Sequence, residues 1–66
     1  MSCLGENMKR RRKTLGLSQK WMAQHLSVHR TTYTKYERNT VEPSLDTLCR
    51  IADLLMCSVD VLLGRE

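Results

Sequence analysis

The chain has 66 residues, 41% of them hydrophobic, with a net charge of +4. A domain of this size buries only about 60% of the surface that its unfolded chain exposes, so its core must be efficient and a second copy would help to cover it. The three cysteines show no CxxC spacing and have only two histidines beside them, which argues against a disulfide framework and against a zinc site.

No apolar stretch approaches the roughly 18 residues that a membrane span needs. The basic start of the chain lacks the apolar run of a secretory signal. We therefore expect a cytoplasmic protein with free thiols, no metal, no other cofactor, no membrane partner and no small-molecule ligand.

The charge is separated along the chain. Residues 1–40 contain nine Lys or Arg and two acids, a net charge of +7, whereas residues 41–66 have a net charge of −3. Such a separation makes one end of the molecule a candidate surface for a polyanion. Charge alone leaves both nucleic acid and an anionic membrane open.

The first predicted helix has a clear apolar stripe. Leu4, Met8 and Leu15 fall on one side at helical spacing, which predicts a helix over about residues 4–15. Gly16 follows as the left-handed residue that commonly ends a helix.

Two closely joined helices follow. Ser18 is the N-cap of a predicted helix over residues 19–26, and a third helix over about residues 30–37 begins after His29 at its N-cap. Asn39 is the predicted left-handed terminator of the third helix. Two short helices separated by about three residues cross steeply, which is helix-turn-helix geometry and places the second helix of the pair in the major groove of DNA.

Two more helices complete the prediction. Ser44 caps a fourth helix over about residues 45–55, and Ser58 caps a short fifth helix over residues 59–63. The core face of the fourth helix is predicted to contain Leu45, Leu48, Ile51, Ala52 and Leu55. The fold class is therefore all-α, a compact five-helix bundle that forms one domain over the whole chain, with its core within residues 4–64.

The third predicted helix has two different faces. A helical projection turns Tyr33 and Tyr36 toward the core. The opposite side carries four polar or basic residues: Arg30, Thr31, Thr34 and Lys35. Arg and Lys donate to guanine O6 and N7, and Thr offers a hydroxyl and a methyl group, so this face is suited to base edges. Taken alone, the helix also fits an ordinary solvated face.

The order of residues along the whole chain resembles the Cro/CI-type repressors, the XRE-like helix-turn-helix family. The matching residues are Arg12, Gly16-Leu17-Ser18-Gln19, Met22-Ala23, Leu26, Tyr36-Glu37-Arg38-Asn39, Pro43-Ser44-Leu45, Leu48, Ile51-Ala52 and Ser58-Val59-Asp60-Val61-Leu62-Leu63. The resemblance covers about residues 4–64 without a large insertion. It implies a lambda-repressor-like DNA-binding domain whose second and third helices form the helix-turn-helix. It also implies a sequence-specific transcriptional regulator, most simply a repressor, of bacterial or phage origin.

The resemblance also implies roles for single residues. Base contacts are expected from Arg30, Thr31, Thr34 and Lys35. Phosphate contacts are expected from Gln19, Thr32, Arg38, Asn39 and Thr40, and His29 is added to them below on the chemistry of its own side chain. Gln19 is further expected to brace the first base-reading residue. Arg12 and Glu37 are expected to form an ion pair that ties the first helix to the end of the third.

Three residues depart from the family pattern. His29 replaces the usual Ser or Thr cap; a protonated imidazole suits a phosphate, so we expect DNA binding to tighten modestly as the pH falls through about 6.5. Asn39 replaces the common Gly and tolerates left-handed geometry. Met56 also stands where the family prefers Gly, which predicts a different end for the fourth helix.

Specific binding by one short helix predicts a dimer. Such a helix reads only a few base pairs, so a homodimer is expected on a palindromic operator with half-sites about one turn apart. The last helix has more apolar residues than a small core needs. The predicted dimer interface is Val59, Val61, Leu62 and Leu63.

Other functions stay open on the sequence. Trp21 fits partial packing, or a protein contact in an antitoxin-like or other interaction module whose main partner is another protein. The basic run over residues 9–13 fits a solvated face that reaches DNA phosphates, a localisation or heparin-type patch, or a membrane-surface stripe. A basic protein that binds nucleic acid nonspecifically, or binds RNA, is a further alternative. Catalysis lacks its parts, because no nucleophile has an evident His-plus-acid arrangement and no glycine-rich phosphate loop occurs, so no enzyme is expected.

Overall fold

The computed structural model describes residues 3–65, and within this range every regular element is a helix. The five helices are α1 Leu4–Thr14, α2 Gln19–Leu26, α3 Arg30–Glu37, α4 Leu45–Leu54 and α5 Val59–Leu63. The predicted all-α bundle is confirmed, and only α1 and α4 end one residue earlier than expected. No helix of the described range combines the length and the apolar character that crossing a bilayer requires.

Serine begins three of the helices. The hydroxyls of Ser18, Ser44 and Ser58 accept the backbone N–H three residues further on, at 2.9, 3.2 and 3.1 Å respectively. A cap of this kind contributes about 1 kcal/mol, because it satisfies an N–H that has no partner inside the helix. The starts of α2, α4 and α5 are therefore set by local chemistry.

A residue in the left-handed region follows each helix. Gly16 and Asn39 adopt it as predicted, with φ of 72° and 60°. Met56 adopts it as well, with φ of 57°, so the expectation that α4 ends differently is wrong. A side chain larger than glycine adopts this conformation at a cost of roughly 1–2 kcal/mol, which the surrounding contacts offset. Arg11 supplies two of them, donating to the carbonyl oxygens of Leu55 and Met56 at 2.8 and 3.0 Å.

The core lies where the five helices meet. Its largest fully buried side chains are Met8, Met22, Tyr33, Ile51, Leu55 and Leu62. Leu45 was predicted to join them, but it is 81% exposed. It is the first residue of α4 and lies at the edge of the core stripe, where the helices that pack on α4 do not cover it.

Close approach at Gly5 joins α1 to the end of α3. A Cβ on Gly5 would collide with the carbonyl oxygen of Glu37 and lie 2.8 Å from that of Tyr36. The Gly5 N–H donates to Oδ1 of Asn39 at 3.0 Å, which caps the start of α1 from a distant part of the chain. These contacts fix α1 against the C-terminal end of α3.

Candidate nucleic-acid interface

The turn between α2 and α3 is short and tightly bonded. Ser27 is left-handed with φ of 58°, and the next residue, Val28, returns its N–H to the carbonyl oxygen of Ala23 at 3.0 Å. His29 then begins α3 in an extended conformation, but its side chain makes no cap hydrogen bond. The predicted helix-turn-helix is therefore present, with the start of α3 left without a side-chain cap.

The two faces of α3 differ as predicted. Tyr33 is fully buried, and its ring meets that of Tyr36 edge-on with centroids 6.3 Å apart. The opposite side forms a shallow concavity lined by Arg30, Thr31, Thr34, Lys35 and Arg38. Three of these five are cations, and none has an ion-pair partner within residues 3–65. The structure thus brings the four predicted base-contacting residues together on one open surface.

The residues predicted to contact phosphates border this concavity. Gln19 begins α2, Thr32 lies in the first turn of α3, and both are partly exposed. His29 is exposed at the start of α3, and the segment 38–40 is exposed beyond its end.

Two side chains of this segment already have intramolecular partners. The hydroxyl of Thr40 donates to the carbonyl oxygen of Lys35 at 3.3 Å, and Oδ1 of Asn39 accepts from Gly5. The backbone N–H of Asn39 donates to the carbonyl oxygen of Tyr36 at 3.2 Å, so the side-chain amide N–H groups of this residue remain for a ligand.

Behind the concavity, the predicted Arg12–Glu37 ion pair is present. Arg12 donates from Nε to Oε2 of Glu37 at 2.7 Å and from Nη2 to Oε1 at 3.1 Å, while Nη1 donates to the carbonyl oxygen of Leu17 at 2.8 Å. The two side chains are only 9% and 2% exposed. A bidentate pair of this geometry joins α1 to the last residue of α3.

Charges in this buried region stabilise one another. Burial alone raises the pKa of Glu37, but the hydrogen bonds from Arg12, with Tyr33 and Gln19 close by, outweigh burial and hold the pKa below its ordinary value. The bonds to Glu37 raise the pKa of Arg12. Burial, and then the nearby carboxylate, raise the pKa of Tyr33 far above its ordinary range. Both members of the ion pair are therefore charged at neutral pH.

The hydroxyl of Tyr33 is buried and finds no hydrogen-bond partner in the part of the chain that the structure describes. It lies close enough to Glu37 for the charge of the carboxylate to affect it. A buried hydroxyl without a partner costs free energy, which the burial of the Tyr33 ring offsets.

Gln19 connects the ion pair to the surface of α3. Its Nε2 donates to Oε1 of Glu37 at 3.1 Å, and its Oε1 accepts from the hydroxyl of Thr34 at 3.3 Å. The residue was expected to brace the first base-reading residue, Arg30, but its bond goes to Thr34 instead. Sequence reasoning missed this link, because no local signal joins residues that lie fifteen positions apart.

The predicted dimer interface needs one correction. Leu62 is fully buried in the core of its own domain, so it is not available to a partner. A helix of five residues turns one face inward, and here that face is Leu62, whose carbonyl oxygen also accepts from the side chain of Asn7 at 2.9 Å. Val61 is 41% exposed, and Met56, just before α5, is 75% exposed. Val59 and Leu63 are partly buried against the core.

Trp21 is partly buried against the core and stacks on His25, with ring centroids 3.9 Å apart and planes 24° apart. This agrees with the packing interpretation and gives no support to a protruding protein-binding side chain.

The basic run over residues 9–13 does not form one surface. Arg12 is buried, Arg11 donates to carbonyl oxygens at the end of α4, and the other three residues are exposed. Residues 3–65 contain no group of three or more His, Cys, Asp or Glu side chains that could hold a metal ion.

Comparison with known proteins agrees with this architecture. A sequence model of the helix-turn-helix family matches residues 8–62. The HTH-type transcriptional regulator ImmR of Bacillus subtilis is 35% identical over 63 residues, which are 96% of this chain and 50% of that protein. The cryptic phage CTXphi transcriptional repressor RstR of Vibrio cholerae is 37% identical over 60 residues, which are 91% of this chain and 54% of that protein. The chain thus spans about half the length of the curated relatives that it matches.

A solved structure is similar over nearly the whole chain. The P22 c2 repressor, crystallised in complex with the synthetic operator 9T in the presence of Tl+, is 30% identical with a TM-score of 0.87, and the match covers 96% of each chain. The family match extends over most of the 66 residues and includes both helices of the predicted motif. The resemblance to XRE-like proteins is therefore confirmed, and this chain belongs to the helix-turn-helix family.

Proposed function

We propose that this protein binds double-stranded DNA at specific sequences through the outer face of α3 and represses transcription as a homodimer, without catalysis. The similarity to a repressor solved in complex with its operator supports this function, as do relatives named as transcriptional regulators and a repressor. Repression would follow from occupation of a promoter.

One observation supports the proposal most strongly. The exposed side of α3 carries Arg30, Thr31 and Lys35, while Tyr33 on the other side is fully buried and anchors the helix. Because the backbone is held from behind, the three side chains can enter a major groove without movement of the helix. Arg and Lys there would donate to guanine, and Thr would contact either partner of a base pair.

Phosphate contacts are proposed on both sides of this face. Gln19 and His29 would contact the backbone near the start of α3, and the segment 38–40 would contact it near the end, with Thr32 between them. Their partial or full exposure supports this assignment. Such contacts set the position of the helix on the duplex but carry no sequence information by themselves.

The homodimer is proposed to form through the exposed parts of α5. Val61 provides the most accessible apolar side chain of this helix, and Val59 and Leu63 border it. A two-fold arrangement would place two α3 helices about one DNA turn apart on a palindromic operator.

Selection from a random duplex library on the purified protein tests the proposal. We expect a two-fold symmetric site, bound with an affinity that falls with salt by about 0.9 log units per log unit of salt for each phosphate contacted. On that site, Arg30→Ala should cost about 1–3 kcal/mol and relax one base position, whereas its matched control Arg38→Ala should weaken all duplexes alike. Selection of no sequence, or identical behaviour of the two variants on every duplex, would contradict sequence reading by α3.

A further inference from the structure

The hydroxyl of Thr34 is directed at two protein acceptors. Its Oγ1 lies 2.9 Å from the carbonyl oxygen of Arg30 and 3.3 Å from Oε1 of Gln19. A hydroxyl has one proton and two lone pairs. Whichever of the two oxygens takes the proton, the proton stays within the protein and only lone pairs of Thr34 remain for a ligand.

The orientation of the Gln19 amide decides whether its oxygen or its nitrogen faces Thr34. Glu37 accepts two hydrogen bonds from Arg12, so it is a carboxylate and can only accept. The amide nitrogen of Gln19 must therefore face Glu37, where it lies 3.1 Å from Oε1. The amide oxygen is left facing Thr34.

A chain of four side chains thus extends from α1 to the outer face of α3. The charge of Arg12 keeps Glu37 ionised, Glu37 orients Gln19, and Gln19 together with the Arg30 carbonyl holds the hydroxyl proton of Thr34 within the protein. Thr34 is partly exposed in the concavity that Arg30 and Lys35 also line. Its lone pairs are the part of this hydroxyl that a ligand in the concavity can use.

We propose that Thr34 acts as an obligate acceptor in base recognition and reads an exocyclic amino group, adenine N6 or cytosine N4, in the major groove. This inference rests on the proposed function and adds which partner, the base or Thr34, donates the hydrogen bond in one contact. Guanine and thymine present only acceptors at the corresponding major-groove positions, so their oxygen or N7 atoms cannot pair with a hydroxyl whose proton is already held.

Thr31 provides the natural control. It is exposed on the same face, and no hydrogen-bond partner for its hydroxyl occurs among residues 3–65. Its proton can therefore turn toward a base acceptor or away from a base donor, so Thr31 can either donate a hydrogen bond to a base or accept one from it. On the same face of α3, Thr34 is thus expected to accept hydrogen bonds from bases only, whereas Thr31 can donate or accept.

The experiment begins with the wild-type site found by selection and repeats the selection with Thr34→Val, Thr34→Ser and Thr31→Val. We expect Thr34→Val to lose the preference at one position of each half-site, Thr34→Ser to retain it, and Thr31→Val to change a different position. Every base pair carries an amino group on one of its two bases in the major groove, so a second arm must remove that group alone. At the affected position, adenine is replaced by purine, or cytosine by 2-pyrimidinone.

The inference predicts that loss of the amino group weakens wild-type and Thr34→Ser binding by roughly tenfold, as expected for one hydrogen bond, and leaves Thr34→Val unchanged. Equal losses in wild type and Thr34→Val would overturn it. So would wild-type binding that is not weakened by loss of the amino group, since the hydroxyl would then be donating or the methyl group would be reading. If the wild type selects no site at all, the proposed function fails; if it selects a site that Thr34→Val shares, only this inference fails.

Discussion

The two sides of α3 use charge in opposite ways. On the inner side, Arg12 and Glu37 are almost fully buried and directly bonded to each other. On the outer side, Arg30 and Lys35 are exposed and have no ion-pair partner within the described residues. Buried charges must be paired to be tolerated, whereas exposed unpaired ones remain available to a ligand. Inner substitutions should therefore affect folding, and outer ones should affect DNA binding alone.

Removing one member of the buried pair should have the largest effect. Glu37→Ala leaves Arg12 buried without a counter-charge, and we expect a loss of about 3–5 kcal/mol in the free energy of unfolding, measured by urea denaturation. The matched outer variant, Arg30→Ala, should change it by less than about 0.5 kcal/mol. Comparable losses in the two variants would remove the distinction between the inner and outer sides.

Acid should remove part of the same stabilisation. The pKa of Glu37 is lowered from 4.5 in the folded protein, because burial, which raises it, is outweighed by Arg12 together with the nearby Tyr33 and Gln19. Its contribution to stability is therefore complete above pH 4.5 and is lost as the pH falls through the lower folded-state pKa. Glu37→Gln has no such proton to bind, so its unfolding free energy should fall less steeply in acid than that of the wild type. Parallel curves for the two proteins would show that Glu37 titrates alike in the folded and unfolded states.

The contact at Gly5 tests the inner side without changing a charge. Gly5→Ala places a methyl group against the backbone oxygens of Glu37 and Tyr36, so either α1 or the end of α3 must move. We expect a loss of about 1–3 kcal/mol in stability, as for other overpacked sites. DNA affinity should fall for all sequences alike, because the segment 38–40 is displaced while the base-reading face is unchanged. A change of base preference in this variant would contradict that separation.

Local signals made the helices predictable. Ser18, Ser44 and Ser58 are caps that act within one turn, and Gly16 and Asn39 end helices through their own backbone preferences. The two faces of α3 follow from helical periodicity alone, and the resemblance to a known family supplied the expected role of each residue.

Long-range packing limited the rest. Periodicity tells which residues share a face of a helix but not how far the neighbouring helices extend, so it places the exposed Leu45 in the core. The excess of apolar residues on the last helix predicts a surface role for Leu62 but does not tell which of them the core buries. The bond from Gln19 to Thr34 depends on the side-chain conformations of two helices, and the pattern of residues does not encode it. The least predictable features are therefore those where separate elements meet.

The smallest expected effect lies on the outer side and concerns His29. It is exposed at the start of α3 without a side-chain cap bond, next to the proposed phosphate contacts. A histidine gains a positive charge as the pH falls from about 8 to about 6, and a charge there would attract a phosphate while slightly opposing the helix dipole. We expect DNA binding at constant salt to tighten by less than about tenfold over this range, with folding stability nearly unchanged. His29→Gln should abolish the change, whereas His25→Gln, on α2 and stacked on Trp21, should preserve it. Equal wild-type affinities at the two pH values would exclude a contribution from His29, and loss of the effect in both variants would place its origin elsewhere on the surface.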